Sequence, residues 1–317
     1  MARATISVKN EVEATSLSLV AGNTVLAKPL ETTVLLKRRT VMKTRSILLR
    51  HLFSVSILLL TAAARSVNAQ SVGTIYQAIL MEPDQRTKEI STDDLRKILA
   101  EKSATVFDAR PFNEYVISHI PGSVNVSAKP NVPMSFYVSD VTEIGRVLKG
   151  DKQAPIVLYC NGPFCGKSKR LATELLDAGY LNIRRYQLGI PVWRALGGVT
   201  QIESSAIRLV METDRTAVFI DVREAIEFKT GSIPSAQNLP RSLLKEGKDV
   251  GEVKAAKDDR RLPMEDHNTR IIVFGKSKEE ASYVAQAIAK EAFHNVSFFD
   301  GSFEQLKSVV QQSAATD

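Results

Sequence analysis

The chain has 317 residues, 44% of them apolar and 24% charged, with only two cysteines; this excludes a fibre, a disordered chain and a disulfide framework, and suits two ordinary domains behind a leader. The formal net charge of +7 belongs to residues 1–69, which hold ten Lys/Arg against three Asp/Glu and leave 32 of each from Gln70 onward. The mature chain is therefore neutral, and no nucleic-acid partner is expected.

Read from Met42 as the start, the leader has a positive segment (Lys43, Arg45, Arg50), an apolar stretch from Leu52 to Ala64 and a small-residue end at Val67-Asn68-Ala69, the order of an export signal. At thirteen residues the stretch falls short of the ~20 that a membrane-spanning helix needs, so no stable membrane span is expected after cleavage. The alternatives are an uncleaved anchor or, counting from Met1, an Arg-rich organelle transit leader. The expected layout is a leader over 1–69, a linker over 70–88 and two domains over 89–199 and 200–317, in an exported, periplasmic or secreted protein.

Two domains are expected because the chain repeats itself. Val106-Phe107-Asp108-Ala109-Arg110 is echoed by Phe219-Ile220-Asp221-Val222-Arg223, Glu114 by Glu227, Ile120-Pro121 by Ile233-Pro234 and Asn125-Val126 by Asn238-Leu239, all 113 apart. Ile156-Val157-Leu158-Tyr159 matches Ile271-Ile272-Val273-Phe274 at 115, and Tyr180 and Asn182 match Phe293 and Asn295 back at 113. Repeat one is thus longer by two residues immediately after its central strand, in the segment that carries both cysteines. Within repeat one, the patterning predicts a helix over Thr92–Ala100 and strands over Ala104–Phe107 and Pro155–Tyr159. A helix over Ser168–Ala178 follows, with Leu171, Leu175 and Leu176 inward, and then a strand over Ile183–Tyr186. Alternation of helices with near-continuous apolar strands predicts an α/β fold, each repeat a parallel sheet covered by helices on both faces. Ligands in such sheets bind beyond the carboxyl ends of the strands, where Cys160 falls.

Cys160 is followed by Asn161, Gly162, Pro163, Phe164, Cys165, Gly166 and Lys167, a loop before a helix expected to open at Ser168. A thiol in front of a helix N-terminus, with glycines that let backbone N–H groups curl toward it, is held as the reactive thiolate. Lys167, Lys169 and Arg170 add positive charge. The arrangement suits a small anionic substrate or an anionic covalent intermediate. A phosphate-binding loop at Gly166-Lys167-Ser168 is disfavoured, since the glycine required five residues earlier is Asn161 and Pro163 removes a donor. A cysteine phosphatase would need a nearby arginine to clamp phosphate, and Gly166-Lys167 stands there instead. A plain Cys160–Cys165 disulfide pinning the loop stays open. The histidines, His51, His119, His267 and His294, lack metal-ligand spacing, so neither metal nor cofactor is expected.

Asp108-Ala-Arg110, Glu114-Tyr115, His119-Ile-Pro-Gly122, the strand end Val157-Leu-Tyr-Cys160, and Gly189 with Trp193 resemble the rhodanese family of sulfurtransferases, in two tandem copies over residues 89–310. The resemblance implies that Cys160 is a catalytic cysteine that takes a sulfane sulfur as a persulfide and passes it to a thiophilic acceptor, with Asn161 to Lys167 as its active-site loop. A small anionic sulfur donor and a thiol or cyanide-like acceptor are the implied partners. The sequence departs from the family in a loop two residues longer, in Cys165, and in Lys167 where an arginine is usual. Asp108, Arg110, Glu114 and His119 are read as structural signature residues, and Cys165 as a redox partner of Cys160. In repeat two, Gly275 takes the place of Cys160, and Ser277 and Glu280 are spaced as a capping box, so that domain is expected to be non-catalytic. The alternative for the whole chain is a non-catalytic anion- or partner-binding module with a Cys160–Cys165 disulfide.

Overall fold

The computed structural model describes residues 85–314; the expected leader, and nearly all of the expected linker, lie outside the described residues. Each repeat forms a five-stranded, all-parallel sheet. The first comprises β1 (Lys88–Glu89), β2 (Thr105–Asp108), β3 (Val124–Asn125), β4 (Ile156–Tyr159) and β5 (Ile183–Tyr186), in the order β1-β5-β4-β2-β3. The second comprises β6 (Thr200–Ile202), β7 (Val218–Asp221), β8 (Gln237–Asn238), β9 (Ile271–Phe274) and β10 (Val296–Phe299), in the matching order β6-β10-β9-β7-β8. The 113- and 115-residue echoes are therefore one fold laid down twice, and β4 and β9 are the two central strands.

In repeat one the helices are α1 (Thr92–Glu101), α2 (Phe112–Ile117), α3 (Asp140–Val147), α4 (Gly166–Asp177) and α5 (Gly189–Ala195). Helix α1 starts where Ser91 accepts the Asp94 N–H and Asp94 accepts the Ser91 N–H, a reciprocal cap that satisfies two end donors. Strand β4 is buried at all four positions, because its side chains alternate between two cores. Val157 and Tyr159 meet Leu95 and Ile98 of α1 and Ile190 and Trp193 of α5 on one face. Ile156 and Leu158 meet Ile144 of α3 and Leu171 and Leu175 of α4 on the other. Repeat two repeats the plan with α6 (Ser204–Thr213), α7 (Ala225–Thr230), α8 (Gly251–Asp258), α9 (Lys278–Lys290) and α10 (Phe303–Ala314). Among the described residues no helix is long and apolar enough to cross a membrane.

The two repeats share a core. Phe112, Tyr115, Val116 and Ile117 of α2 pack into the cluster built by Ala206, Ile207 and Val210 of α6. His119 and Gln201 exchange backbone hydrogen bonds at 3.0 and 2.8 Å, and Glu203 N–H donates to Val116 O at 2.8 Å. The counterpart of α2 in repeat two, α7, has no buried residue, and its Ile226 is 72% exposed. The difference between the copies is that α2 has a neighbour to cover it.

One boundary is corrected. The helix after the cysteine loop opens at Gly166 rather than Ser168, with Cys165 at its N-cap, so Gly166 and Lys167 belong to its first turn. Serine's preference for the cap position is a local bias; here the chain enters the helix straight from Cys165, and Ser168 is buried inside the first turn.

Candidate active site

The site is built at the carboxyl end of β4. Cys160 follows directly on Tyr159, is 1% exposed, and is joined to Cys165 in a disulfide with the two Cα atoms 6.3 Å apart. The loop between them turns back on itself. Gly162 has φ of +112°, a region that glycine enters without steric cost, and the Cys165 N–H donates to Gly162 O at 3.0 Å. Gly189, with φ of +64°, lies so close that a Cβ there would sit 2.3 Å from Cys160 O and 2.4 Å from Gly162 N. Only glycine lets the start of α5 close on the loop, where the Ile190 N–H donates to Cys160 O at 3.2 Å.

Along the loop, Asn161 is exposed, Gly162 buried, and Pro163 and Cys165 half-buried, while Phe164 is 102% exposed and Gly166 and Lys167 are exposed. The ring of donors expected from the loop is thus partly consumed by the loop itself. What remains is the first turn of α4, which no side chain caps and which holds no acidic residue. Cys165 stands at the positive end of a 12-residue helix that carries Lys167, Lys169 and Arg170 in its first turns, an environment that stabilises negative charge.

Beneath the loop lies a buried polar knot. Arg110 donates from Nε and Nη2 to both oxygens of Asp108, at 2.6 to 3.1 Å, and from Nη2 to Ser118 O at 2.6 Å. Burial alone would lower the Arg110 pKa, but Asp108 beside it raises it. The Tyr159 hydroxyl donates to Asp108 Oδ2 at 2.6 Å, accepts from the Ile120 N–H at 3.1 Å and lies 3.0 Å from Ser123 Oγ. Burial raises the Tyr159 pKa well above the usual range, so the phenol stays a donor. His119 is 1% exposed, stacks on Tyr115 with ring centroids 3.8 Å apart, holds Tyr115 O through Nδ1 at 2.9 Å and lies 3.5 Å from Glu203 of repeat two. Burial pushes its pKa down to about 4, so at neutral pH it is an uncharged interface residue. Asp108, Arg110 and His119 therefore hold the scaffold and do not face the loop.

Glu114 is the exception. From α2 its Oε2 accepts from Asn161 Nδ2 at 2.6 Å, so it touches the cysteine loop directly. Sequence reasoning also missed the Tyr159 hydroxyl, although the repeat alignment holds the clue: the matching residue is Phe274, and Ser232, which stands where repeat one has His119, donates to Asp221 Oδ2 at 2.7 Å instead. One acceptor is satisfied from two different directions in the two copies.

In repeat two, Gly275 stands where repeat one has Cys160. A Cβ on Gly275 would lie 2.5 Å from Val222 Cγ2. Glu280 Oε2 accepts from the Lys276 N–H at 3.2 Å, and Ser277 Oγ receives the Glu280 N–H at 3.5 Å. The expected capping box is half realised, because the Glu280 carboxylate reaches Lys276 instead of Ser277. A carboxylate of the protein itself thus occupies a backbone donor at the start of α9, whereas no side chain caps the start of α4. Among the described residues no group of three or more His, Cys, Asp or Glu side chains is placed to hold a metal ion.

The rhodanese-like domain model matches residues 91–196 and 206–308. An adenylyltransferase and sulfurtransferase of Lodderomyces elongisporus is 28% identical over 113 residues, covering 35% of this chain and 24% of that protein. An HTH-type transcriptional regulator of Mycobacterium tuberculosis is 32% identical over 93 residues, covering 29% of this chain and 35% of that protein. The chain thus spans about a quarter and a third of these two curated relatives. Among solved structures, the thiosulfate sulfurtransferase of Pseudomonas aeruginosa is 19% identical, with a TM-score of 0.28 and coverage of 68% of this chain and 41% of that one. The 3-mercaptopyruvate sulfotransferase of Escherichia coli is 20% identical, with a TM-score of 0.29 and coverage of 68% and 98%.

Proposed function

Because this chain belongs to the rhodanese-like domain family, matched twice along its length, we propose that it is a sulfurtransferase and that its first domain alone carries the chemistry. The observation that carries the reading is Cys160 at the end of a buried central strand, in front of an uncapped helix N-terminus, where repeat two has Gly275. In the reduced protein the Cys160 thiolate attacks the sulfane sulfur of a donor such as thiosulfate. The donor's S–S bond breaks, sulfite leaves with the electron pair, and Cys160 holds a persulfide. An acceptor thiolate or cyanide then takes the outer sulfur and returns Cys160 as thiolate. Glu114 and Asn161 steady the loop, and Asn161 to Lys167 surround the donor. No metal or nucleotide enters this scheme. The leader supports a further part of the proposal, that the protein is exported and matures at Gln70; N-terminal sequencing that finds Met1 or Met42 retained would refute it.

The disulfide favours a second reading, in which the first domain binds an anion or a partner and the Cys160–Cys165 bond only pins the loop. Intact mass separates the two. After reduction and thiosulfate treatment, the sulfurtransferase gains sulfur at Cys160 and transfers it to cyanide, and Cys160→Ser does neither. Turnover by Cys160→Ser would sink the assignment, and a wild-type chain that never takes up sulfur would leave the binding module.

A further inference from the structure

In the disulfide the two sulfur atoms of the loop meet with strand β4 and helix α4 both fully formed. Building on the sulfurtransferase reading, we propose that Cys165 discharges the Cys160 persulfide inside the molecule. The sulfane sulfur then leaves as hydrosulfide, and the protein is left in the disulfide state. The bookkeeping closes: the Cys165 thiolate attacks Sγ of Cys160, the Cys160–Cys165 bond forms, and the Sγ–S bond of the persulfide breaks. Its electron pair departs with the outer sulfur, which keeps the proton of the protonated persulfide and leaves as HS⁻. Two cysteine sulfurs are oxidised to a disulfide, and one sulfane sulfur is reduced to sulfide.

Three features of Cys165 suit it to this role. It occupies the N-cap of α4 and makes no capping hydrogen bond, so the first-turn N–H groups stabilise its thiolate instead of being spent on a serine or aspartate side chain. It is half-buried, whereas Cys160 is shut in, so of the two it is the sulfur that solvent and external thiols reach. It is also tethered. A short linker presents a group at an effective concentration on the order of millimolar, so external acceptors more dilute than that lose the race to Cys165.

Regeneration needs a dithiol reductant. Its first thiolate attacks Sγ of Cys165, the accessible sulfur, and frees Cys160 as the thiolate leaving group; its second thiol then resolves the mixed disulfide and restores Cys165. The two-residue lengthening of the repeat-one loop, absent from repeat two, is what brings a second cysteine onto the helix cap. The chain is thereby a dithiol-dependent sulfide-releasing enzyme, not only a carrier.

The test uses the full chain, reduced, freed of reductant and kept without oxygen. One equivalent of thiosulfate is added with no other thiol, and intact mass and free sulfide are followed against a sample without thiosulfate. The wild type should end two hydrogens lighter than the reduced chain and release one equivalent of sulfide. Cys165→Ser and Cys165→Ala should hold the persulfide, one sulfur heavier, and release about tenfold less sulfide or lower still. If the wild type keeps its persulfide as long as the variants and releases no more sulfide than they do, the proposal is overturned while the sulfurtransferase reading stands. If no chain gains sulfur and none releases sulfide, both fall. The wild-type readout decides the matter even where a variant is poorly folded.

Discussion

Replacing Tyr159 with phenylalanine keeps the ring and deletes one oxygen, at 0% exposure, from the knot beneath the cysteine loop. That oxygen donates to Asp108 Oδ2 at 2.6 Å and accepts the Ile120 N–H at 3.1 Å. A hydrogen bond to a charged group is worth about 1.5–3 kcal/mol net, and an orphaned buried N–H costs about 1–3 kcal/mol. Ser123 can turn toward Asp108 and recover part of the first contribution. The expected loss is about 3 kcal/mol, all of it in repeat one, because Phe274 already occupies this place in repeat two and Ser232 serves Asp221 there. At roughly 2–4 °C per kcal/mol for a body of this size, the melting of repeat one should fall by about 6–12 °C. Urea titration at unchanged slope measures the loss directly. The cysteine loop should keep its chemistry below the new transition. A loss under about 1 kcal/mol would show that the hydroxyl is not the keystone of the knot and would refute the reasoning.

Other outcomes follow from the same geometry. Asp108→Asn leaves Arg110 buried without its carboxylate, and chemical denaturation should show a loss of about 3–5 kcal/mol. Gly275→Cys in a Cys160→Ser background should take up no sulfur from thiosulfate by intact mass, since Glu280 already fills the donors; the 2.5 Å approach to Val222 should also cost about 1–3 kcal/mol. Burial holds the His119 pKa at about 4 against an ordinary value near 6.5, so the unfolded chain binds the proton first as pH falls. The stability carried by neutral His119 is complete above about pH 6.5 and lost toward pH 4, about 2 kcal/mol of it between pH 7 and pH 5. Burial raises the Glu203 pKa, which works in the opposite sense, so the comparison is with His119→Gln, whose denaturation midpoints should change less over that interval.

The echo of Asp108-Ala-Arg110 by Asp221-Val-Arg223 made the duplication, the parallel sheets and the position of Cys160 readable, because a repeated apolar run leaves a periodic trace. The Asn161–Glu114 contact was not readable. Its partners lie 47 residues apart, on a loop and a helix that meet only once the sheet has formed. The start of α4 was missed for a related reason: Ser168 carries the local signal for a cap, while the helix opens at Gly166 with Cys165 as its N-cap. Glu280 was assigned the right neighbourhood and the wrong partner, since a carboxylate three residues into a helix reaches two N–H groups about equally well and sequence does not choose between them. Asp108 and Arg110 recur as Asp221 and Arg223 with the same ion pair, whereas His119 and Tyr159 are replaced by Ser232 and Phe274, so the repeat made only half of the knot visible.

Helix α2 ties the second domain mechanically to the cysteine loop of the first. The helix that holds Glu114 against the cysteine loop is the one whose Phe112, Tyr115, Val116 and Ile117 are clothed by repeat two. The first domain is therefore not portable. Excised at the boundary near Val199, it would carry a bare apolar flank and a slack anchor for Asn161, and would cling to neighbouring molecules instead of working alone. Repeat two thus acts as a buttress for the helix that reaches the cysteine loop.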